Sequence, residues 1–284
     1  GSELARSFVL ALEQAFAEGK AGLPEPKVYS ATDMEFDVTW STSVDQIVQY
    51  LKDATVQNCG ARGFDIETNM LRPYAKDAKI LTVAMSDEVL GTFAFPLDNP
   101  GTKWTKAQRD KVEAAFVDYL IDDVNLKAVH NLAFEMEWVG VKYSPQLLRR
   151  TKWACTMVQA YVLDERRGDK KSGAGPQSLD FLCRQYLGIN IKSLSRLALN
   201  NLEAASLEDV LRYNGLDALG HRLVHNAQAE RLKAEGLEVV NAERQRYIPT
   251  VVLTQIKGVP VNHEIVEILA GNLATEIKQA EVGL

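Results

Sequence analysis

The stretch Gly63-Phe64-Asp65-Ile66-Glu67-Thr68 sets two acids one residue apart inside an apolar run. Side chains at i and i+2 of a β-strand leave the same face, so Asp65 and Glu67 are expected to point together from the end of a buried strand. Two carboxylates side by side repel unless a positive charge sits between them, and a hard divalent cation with oxygen ligands is the usual answer. Taken alone, the stretch suits a solvated strand end slightly better. The rest of the chain overturns that reading.

Around these residues lie 284 positions, 46% hydrophobic and 25% charged, room for one large α/β domain with additional elements. A formal net charge of -6 excludes coating of nucleic acid by bulk charge, but not a strand held in a local groove. The cysteines Cys59, Cys155 and Cys183 are odd in number and form no C-x-x-C pair. That usage predicts a reducing, cytoplasmic setting without structural zinc or a disulfide framework. No apolar run reaches membrane-spanning length, and the N-terminus lacks the build of a signal peptide, so no membrane partner is expected. Gly1-Ser2, with no initiator Met, is expected to be a cloning remnant ahead of a piece of a longer protein.

Apolar spacing predicts an amphipathic helix over 3–16, a link containing Pro and Gly at 22–26, and a helix over 44–53 with Ser43 as N-cap. Strands follow at Ala61–Thr68, 78–86 and 89–95, the last two joined by a tight turn at Asp87-Glu88. Thr105 opens a helix to Ile121 whose buried face is Val112, Ala115, Phe116, Tyr119 and Leu120. A short strand over 126–130 runs into a helix over 132–140, and a further helix is expected to start at 153–156 and end near Leu163. The polar, basic segment 164–175 is either a surface loop or a grip for phosphates. Helices then follow at Leu179–Leu187, at 206–236 with Ser206 as cap, and at 237–257 with Pro249 as a kink. Gly258-Val259-Pro260-Val261 interrupts before Asn262 caps a last helix.

Three places now carry acids that can converge at one end of a sheet: Asp65 and Glu67 on the first strand, Glu135 one turn into a mid-chain helix, and Asp217 on a late helix. Tyr213 and Asp217 are spaced i, i+4 and share a helix face. Such a cluster suits two divalent ions about 3.5–4 Å apart, the arrangement used for phosphodiester displacement.

The motifs Asp65-x-Glu67, Asn131-x-x-x-Glu135 and Tyr213-x-x-x-Asp217, in this order, resemble the 3′–5′ proofreading exonuclease domain of family A (DNA polymerase I-like) DNA polymerases. That is the DEDDy branch of the four-acid exonucleases, with a tyrosine in the third motif. The likeness runs from about residue 40 to 235, and includes Thr156-Met157 and Ser178-Leu179-Asp180-Phe181-Leu182. It implies a ribonuclease H-like fold: a mixed sheet of five strands, helices on both faces and a helical tail. It also implies an N-terminal helical extension over 1–40, an exonuclease domain over 41–235, and, over 236–284, a helical junction truncated at the start of the polymerase thumb. The polymerase domain would lie in cis in the full-length protein.

By the same resemblance, Asp65 bridges two ions, Mg²⁺ or Mn²⁺, with Glu67 and Asp217 completing the first site and Glu135 holding the second. Tyr213 orients the attacking water, Asn131 seats the terminal nucleotide, and Thr68 and Leu71 contact and wedge the last base. The implied reaction removes nucleoside monophosphates from single-stranded or frayed 3′ ends of DNA. The chain departs from the family at Glu135, where most members carry Asp, and at Cys155, where an Asp commonly precedes the Thr-Met pair. Two rivals stand beside this reading: a catalytically silent domain that binds single strands or acts as a scaffold, and an RNA-trimming exonuclease of the same superfamily.

Elsewhere, His221 and His225 are i, i+4 without a third ligand and are expected to face solvent. His130 is expected to pack at a strand end. Met85, Met136, Met157, Trp138 and Trp153 are assigned to the core, and Arg149, Arg150 and Lys152 to a solvated face or a path that steers the strand.

Overall fold

In a computed structural model, residues 37–165, 177–189, 191 and 202–282 are described. The helix expected over 3–16 and most of the basic segment over 164–175 lie outside these residues. Chain order is β1 (Val38–Trp40), α1 (Val44–Val56), β2 (Ala61–Thr68), β3 (Ile80–Asp87), β4 (Gly91–Pro96), α2 (Lys106–Ile121), β5 (Leu126–Val129), α3 (Ala133–Lys142), α4 (Leu147–Arg150) and β6 (Trp153–Cys155). The helices α5 (Thr156–Leu163), α6 (Leu179–Leu187), α7 (Leu207–Ala234), α8 (Glu238–Lys257) and α9 (His263–Val282) follow.

The sheet has six strands, not five, in the order β1-β4-β3-β2-β5-β6. The strand β3 runs antiparallel to both neighbours, while β1 lies parallel to β4, and β5 and β6 lie parallel to β2. The two outer strands, β1 and β6, escaped the sequence reading because three residues are too few to show an alternation. Trp153-Ala154-Cys155, assigned to the start of a helix, instead pairs with Lys127-Ala128-Val129, and helix α5 begins only at Thr156. The turn between β3 and β4 also shifts. Asp87 ends β3, and its carboxylate accepts hydrogen bonds from the backbone N–H groups of Val89 (2.8 Å) and Leu90 (2.6 Å).

Helices cover both faces of the sheet. Phe64, Ile66, Val83, Met85 and Phe95 pack with Ile47, Leu51, Val112, Phe116, Tyr119, Met136 and Val139 from α1, α2 and α3. On the other face Ala84 and Ala94, both small, admit α6 and α7, which pack through Leu179, Leu182, Leu187, Leu211, Leu216 and Val224. Thr105 caps α2 with a reciprocal capping box to Gln108.

At the N-terminal end of β2, Arg62 is fully buried and pairs with Asp87 at 2.8 Å. A guanidinium there is tolerable only because the carboxylate and the Ala54 carbonyl, which accepts a 2.5 Å bond from Nη1, take up its donors. The tail is tied to the sheet by Gln245 of α8, whose carboxamide both accepts from the Cys155 N–H (2.9 Å) and donates to the Cys155 carbonyl (3.0 Å). Pro249 lies inside α8, and Asn262 accepts from the Ile265 N–H (3.2 Å) at the start of α9. The last helix exposes Ile265, Val266, Ile268, Leu269, Leu273 and Ile277.

Candidate active site

Alternation along β2 sends Phe64 and Ile66 into the core, and Gly63, Asp65 and Glu67 toward the face crossed by α7. Gly63 is what lets α7 come close. A Cβ at that position would lie 1.9 Å from the Ala218 carbonyl oxygen, so only glycine admits the helix at this distance. Ala218 directly follows Asp217, and the close crossing therefore delivers Asp217 to the acids of β2. Carboxylate oxygens of Asp65, Glu67 and Asp217 all lie within 4.8 Å of one another. A register irregularity falls between Glu67 and Thr68: Glu67 pairs with Thr82 and Thr68 with Ile80, so the ladder to β3 skips one residue beside the site.

The fourth acid arrives from β5. The chain leaves Val129, turns at Asn131 in the left-handed region (φ 61) and enters α3, whose first turn carries Glu135. Asparagine is one of the few non-glycine residues that adopts this conformation readily. Glu135 is 3% exposed and stands outside the tight triad, yet the charges of Glu67 and Asp217 reach it. Its Oε2 is buried without a hydrogen-bond partner among the described residues.

Electrostatics express the same crowding. Burial, then the charges of Glu67, Asp217 and Glu135, push the Asp65 carboxyl well above its ordinary value. Burial, then Glu67 and Asp217, push Glu135 upward as well, with a backbone hydrogen bond opposing. Burial and the charges of Asp217, Glu67 and Asp65 raise the Tyr213 phenol, which stays protonated and able to donate. A carboxylate cluster of this kind holds surplus negative charge that only protons or a cation can compensate. The donor set is all oxygen, the preference of Mg²⁺ and Mn²⁺, and the orphaned Glu135 oxygen is the kind of vacancy that a cation or its bound water fills. The residues fit a divalent metal.

Two flanking residues were not assigned to the site from the sequence. Asn214 of α7, fully buried, donates from Nδ2 to Asp65 Oδ2 at 2.6 Å and fixes the rotation of that carboxylate. His221, one further turn past Asp217, was expected in solvent and is 2% exposed. Its Nδ1 donates to the Phe64 carbonyl (2.9 Å), which leaves the bare Nε2 3.8 Å from Asp65 Oδ1. Burial lowers its pKa to about 4. His225, expected in solvent too, is buried against Gln159 (3.0 Å) with its pKa lowered to about 4. The reason is that α7 is sandwiched between the sheet and the helices α5 and α6, so its polar positions face protein rather than water. The signal available was Asn214 itself, an amide set between Tyr213 and Asp217.

The remaining candidates fall around this cluster in different ways. The Thr68 hydroxyl donates to the Met70 carbonyl (2.8 Å), and Leu71 is 79% exposed on the loop beyond β2. His130 meets the Thr156 hydroxyl at 2.9 Å, packed at the strand end as expected. Met85, Met136 and Trp138 are buried, while Arg149, Arg150 and Lys152 are exposed.

The sequence model of a 3′–5′ exonuclease family matches residues 38–230. No curated protein sequence matches this chain. Among solved structures, NrnC of Brucella melitensis superposes with a TM-score of 0.55 at 15% identity, over 79% of this chain and 95% of its own. RNase D of Escherichia coli gives 0.55 at 13%, over 80% and 52%. The POL domain of Pol1 from M. smegmatis, in complex with DNA primer-template and dNTP, gives 0.60 at 16%, over 85% and 36%. At these identities the likeness is one of fold, and that fold is ribonuclease H-like.

Proposed function

Because the chain belongs to the 3′–5′ exonuclease family, we propose that it removes nucleoside monophosphates one at a time from the 3′ end of DNA, with two divalent ions, Mg²⁺ or Mn²⁺. The observation that carries this reading is the meeting of Asp65, Glu67 and Asp217 within 4.8 Å, with buried Glu135 beside them. Asp65, Glu67 and Asp217 would hold one ion, and Asp65 with Glu135 the other. Bound there, the ions would supply a water of lowered pKa and neutralise charge on the scissile phosphate.

The chain's own residues do the rest. Asn214 keeps one Asp65 oxygen engaged and so limits how the carboxylate can turn. The protonated Tyr213 phenol, beside Asp217, donates a hydrogen bond that orients the attacking water. Asn131, held in its left-handed turn, seats the terminal nucleotide. Thr68 contacts the last base and Leu71 wedges against it. A single-stranded or frayed end is preferred because the last base must leave the stack before its phosphate reaches the acids.

Proofreading beside a polymerase domain in cis is the biological setting we favour, in the cytoplasm, with 41–235 as the exonuclease domain, 1–40 as an extension and 236–284 as the junction toward a thumb. The support is that the polymerase likeness extends over 85% of this chain. No helix among the described residues is long and apolar enough to cross a membrane. A second reading, trimming of RNA, draws on the likeness to RNase D, an exoribonuclease involved in structured RNA processing, and to NrnC, one structure of which holds pGG.

The test is release of labelled mononucleotide from 3′-labelled DNA and RNA oligonucleotides of one sequence, with Mg²⁺, with Mn²⁺ and with chelator. The Asp65→Ala/Glu67→Ala double variant serves as control. Metal-dependent release from DNA that the double variant abolishes is the expected result. Faster release from RNA would favour the second reading, and release that survives the double variant would remove both.

A further inference from the structure

Two residues beyond Glu135, the same helix carries a second buried carboxylate that the acid cluster does not use. Glu137 of α3 is 1% exposed. Positions i and i+2 of a helix diverge by roughly 200°, so Glu137 points away from its neighbour's direction. Three donors meet it there. Arg72 Nη1 lies 2.5 Å from Oε2, while the Tyr74 hydroxyl (2.7 Å) and Gln255 Nε2 (3.0 Å) both donate to Oε1. Two of these donors come from the loop that follows β2 and one from α8.

The loop itself, residues 69–79, is held at its crest by these bonds and by the buried Pro73, which separates Arg72 from Tyr74 in the chain. At its base Asn69 closes it, accepting from the Lys79 N–H (2.8 Å) and donating to the Asp77 carbonyl (2.9 Å). The side chains around Pro73 stand in solvent: Leu71 is 79% exposed, the Arg72 side chain 63% and Tyr74 52%. An exposed arginine and tyrosine held on a buried carboxylate is an unusual economy. A surface ion pair contributes little, whereas a buried carboxylate satisfied by charge-assisted bonds fixes geometry. What it fixes here is the segment four residues past Glu67 that presents Leu71.

We propose that Glu137 is a positioning residue, which locks the 69–79 loop onto α3 and thereby sets how effectively Leu71 separates a paired 3′-terminal base from its partner. The proposal rests on the exonuclease reading above. Through Gln255 it also ties the loop to α8, so that the loop and the C-terminal helices share one anchor.

The experiment compares wild type with Glu137→Ala, and with the surface double variant Arg72→Ala/Tyr74→Phe, which leaves the core untouched. Amide hydrogen exchange over residues 69–79 and over α7 is measured in each. On the same preparations, kcat and KM are measured for a single-stranded oligonucleotide and for a duplex with a paired 3′ end. The expected result is exchange in the loop faster by roughly tenfold, the scale of one charge-assisted hydrogen bond, with α7 unchanged. The paired end should lose about tenfold more in kcat/KM than the single strand, again the scale of one such bond. Unchanged loop exchange in both variants would overturn the anchor. Faster exchange with equal losses on the two ends would overturn the role in separating bases. If wild type degrades neither end, the exonuclease reading fails and the role in substrate separation falls with it, while the exchange data still decide whether Glu137 holds the loop.

Discussion

Replacing Gly63 with alanine puts the central geometry under direct strain. The added Cβ would sit 1.9 Å from the Ala218 carbonyl oxygen, 2.9 Å from its carbon and 3.0 Å from the Arg222 N–H nitrogen. All three are backbone atoms, so no side chain can rotate aside. Restoring an ordinary contact of 3.4 Å from 1.9 Å requires about 1.5 Å of separation between β2 and α7. Asp65 and Glu67 travel with one element and Asp217 with the other. A misplacement of about 1 Å in a reacting geometry costs on the order of a hundredfold in rate, and overpacking costs about 1–3 kcal/mol in stability. Gly63→Ala should therefore lose at least about a hundredfold in metal-dependent mononucleotide release while remaining folded. Initial rates on a 3′-labelled oligonucleotide, read with a thermal melt of the same sample, supply both numbers. Activity within threefold of wild type would mean that the crossing of α7 over Gly63 does not set the separation of the acids, and the reasoning would fail.

Other consequences follow from the same contacts. Asn214→Ala removes the donor that holds Asp65, and a loss of about 10–100-fold in apparent metal affinity or activity is expected, measurable by Mn²⁺ titration of the initial rate. For pH, the folded carboxyls of Asp65 and Glu135 lie above their ordinary values of 3.8 and 4.5, so the folded state binds more protons than the unfolded chain across that interval. Their contribution is fully present below those ordinary values and is lost as pH rises through the raised folded values. Metal-free protein should accordingly melt at lower temperature as pH rises from about 4 toward neutrality, and added Mg²⁺ or Mn²⁺ should reverse the fall. Thr105→Ala, at the start of α2 and away from the acids, should cost about 1 kcal/mol in chemical denaturation and leave turnover unchanged.

The sequence exposed those features whose local pattern matches their surroundings. Asp65 and Glu67 were legible because strand alternation alone places them on one face, and Tyr213 with Asp217 because helix spacing does the same. Thr105 and Ser206 announced two helix starts through capping chemistry that needs no tertiary contact. Features made by long-range packing stayed hidden. Burial of His221 and His225 depends on α7 being enclosed by the sheet, α5 and α6, which no pattern within the helix records. The ion pair of Arg62 with Asp87 joins residues 25 apart, and the Glu137 anchor joins 65- and 118-residue separations. Strands β1 and β6 exist only because a longer strand offers them an edge.

The claim beneath all of this is that acids from β2, α3 and α7 jointly hold divalent cations at one place. Anomalous diffraction from a crystal soaked in Mn²⁺ measures that directly. Two peaks about 3.5–4 Å apart are predicted, one among Asp65, Glu67 and Asp217 and the other toward Glu135. A soaked crystal with no peak at these carboxylates, from protein that still releases mononucleotides in Mn²⁺, would contradict the account.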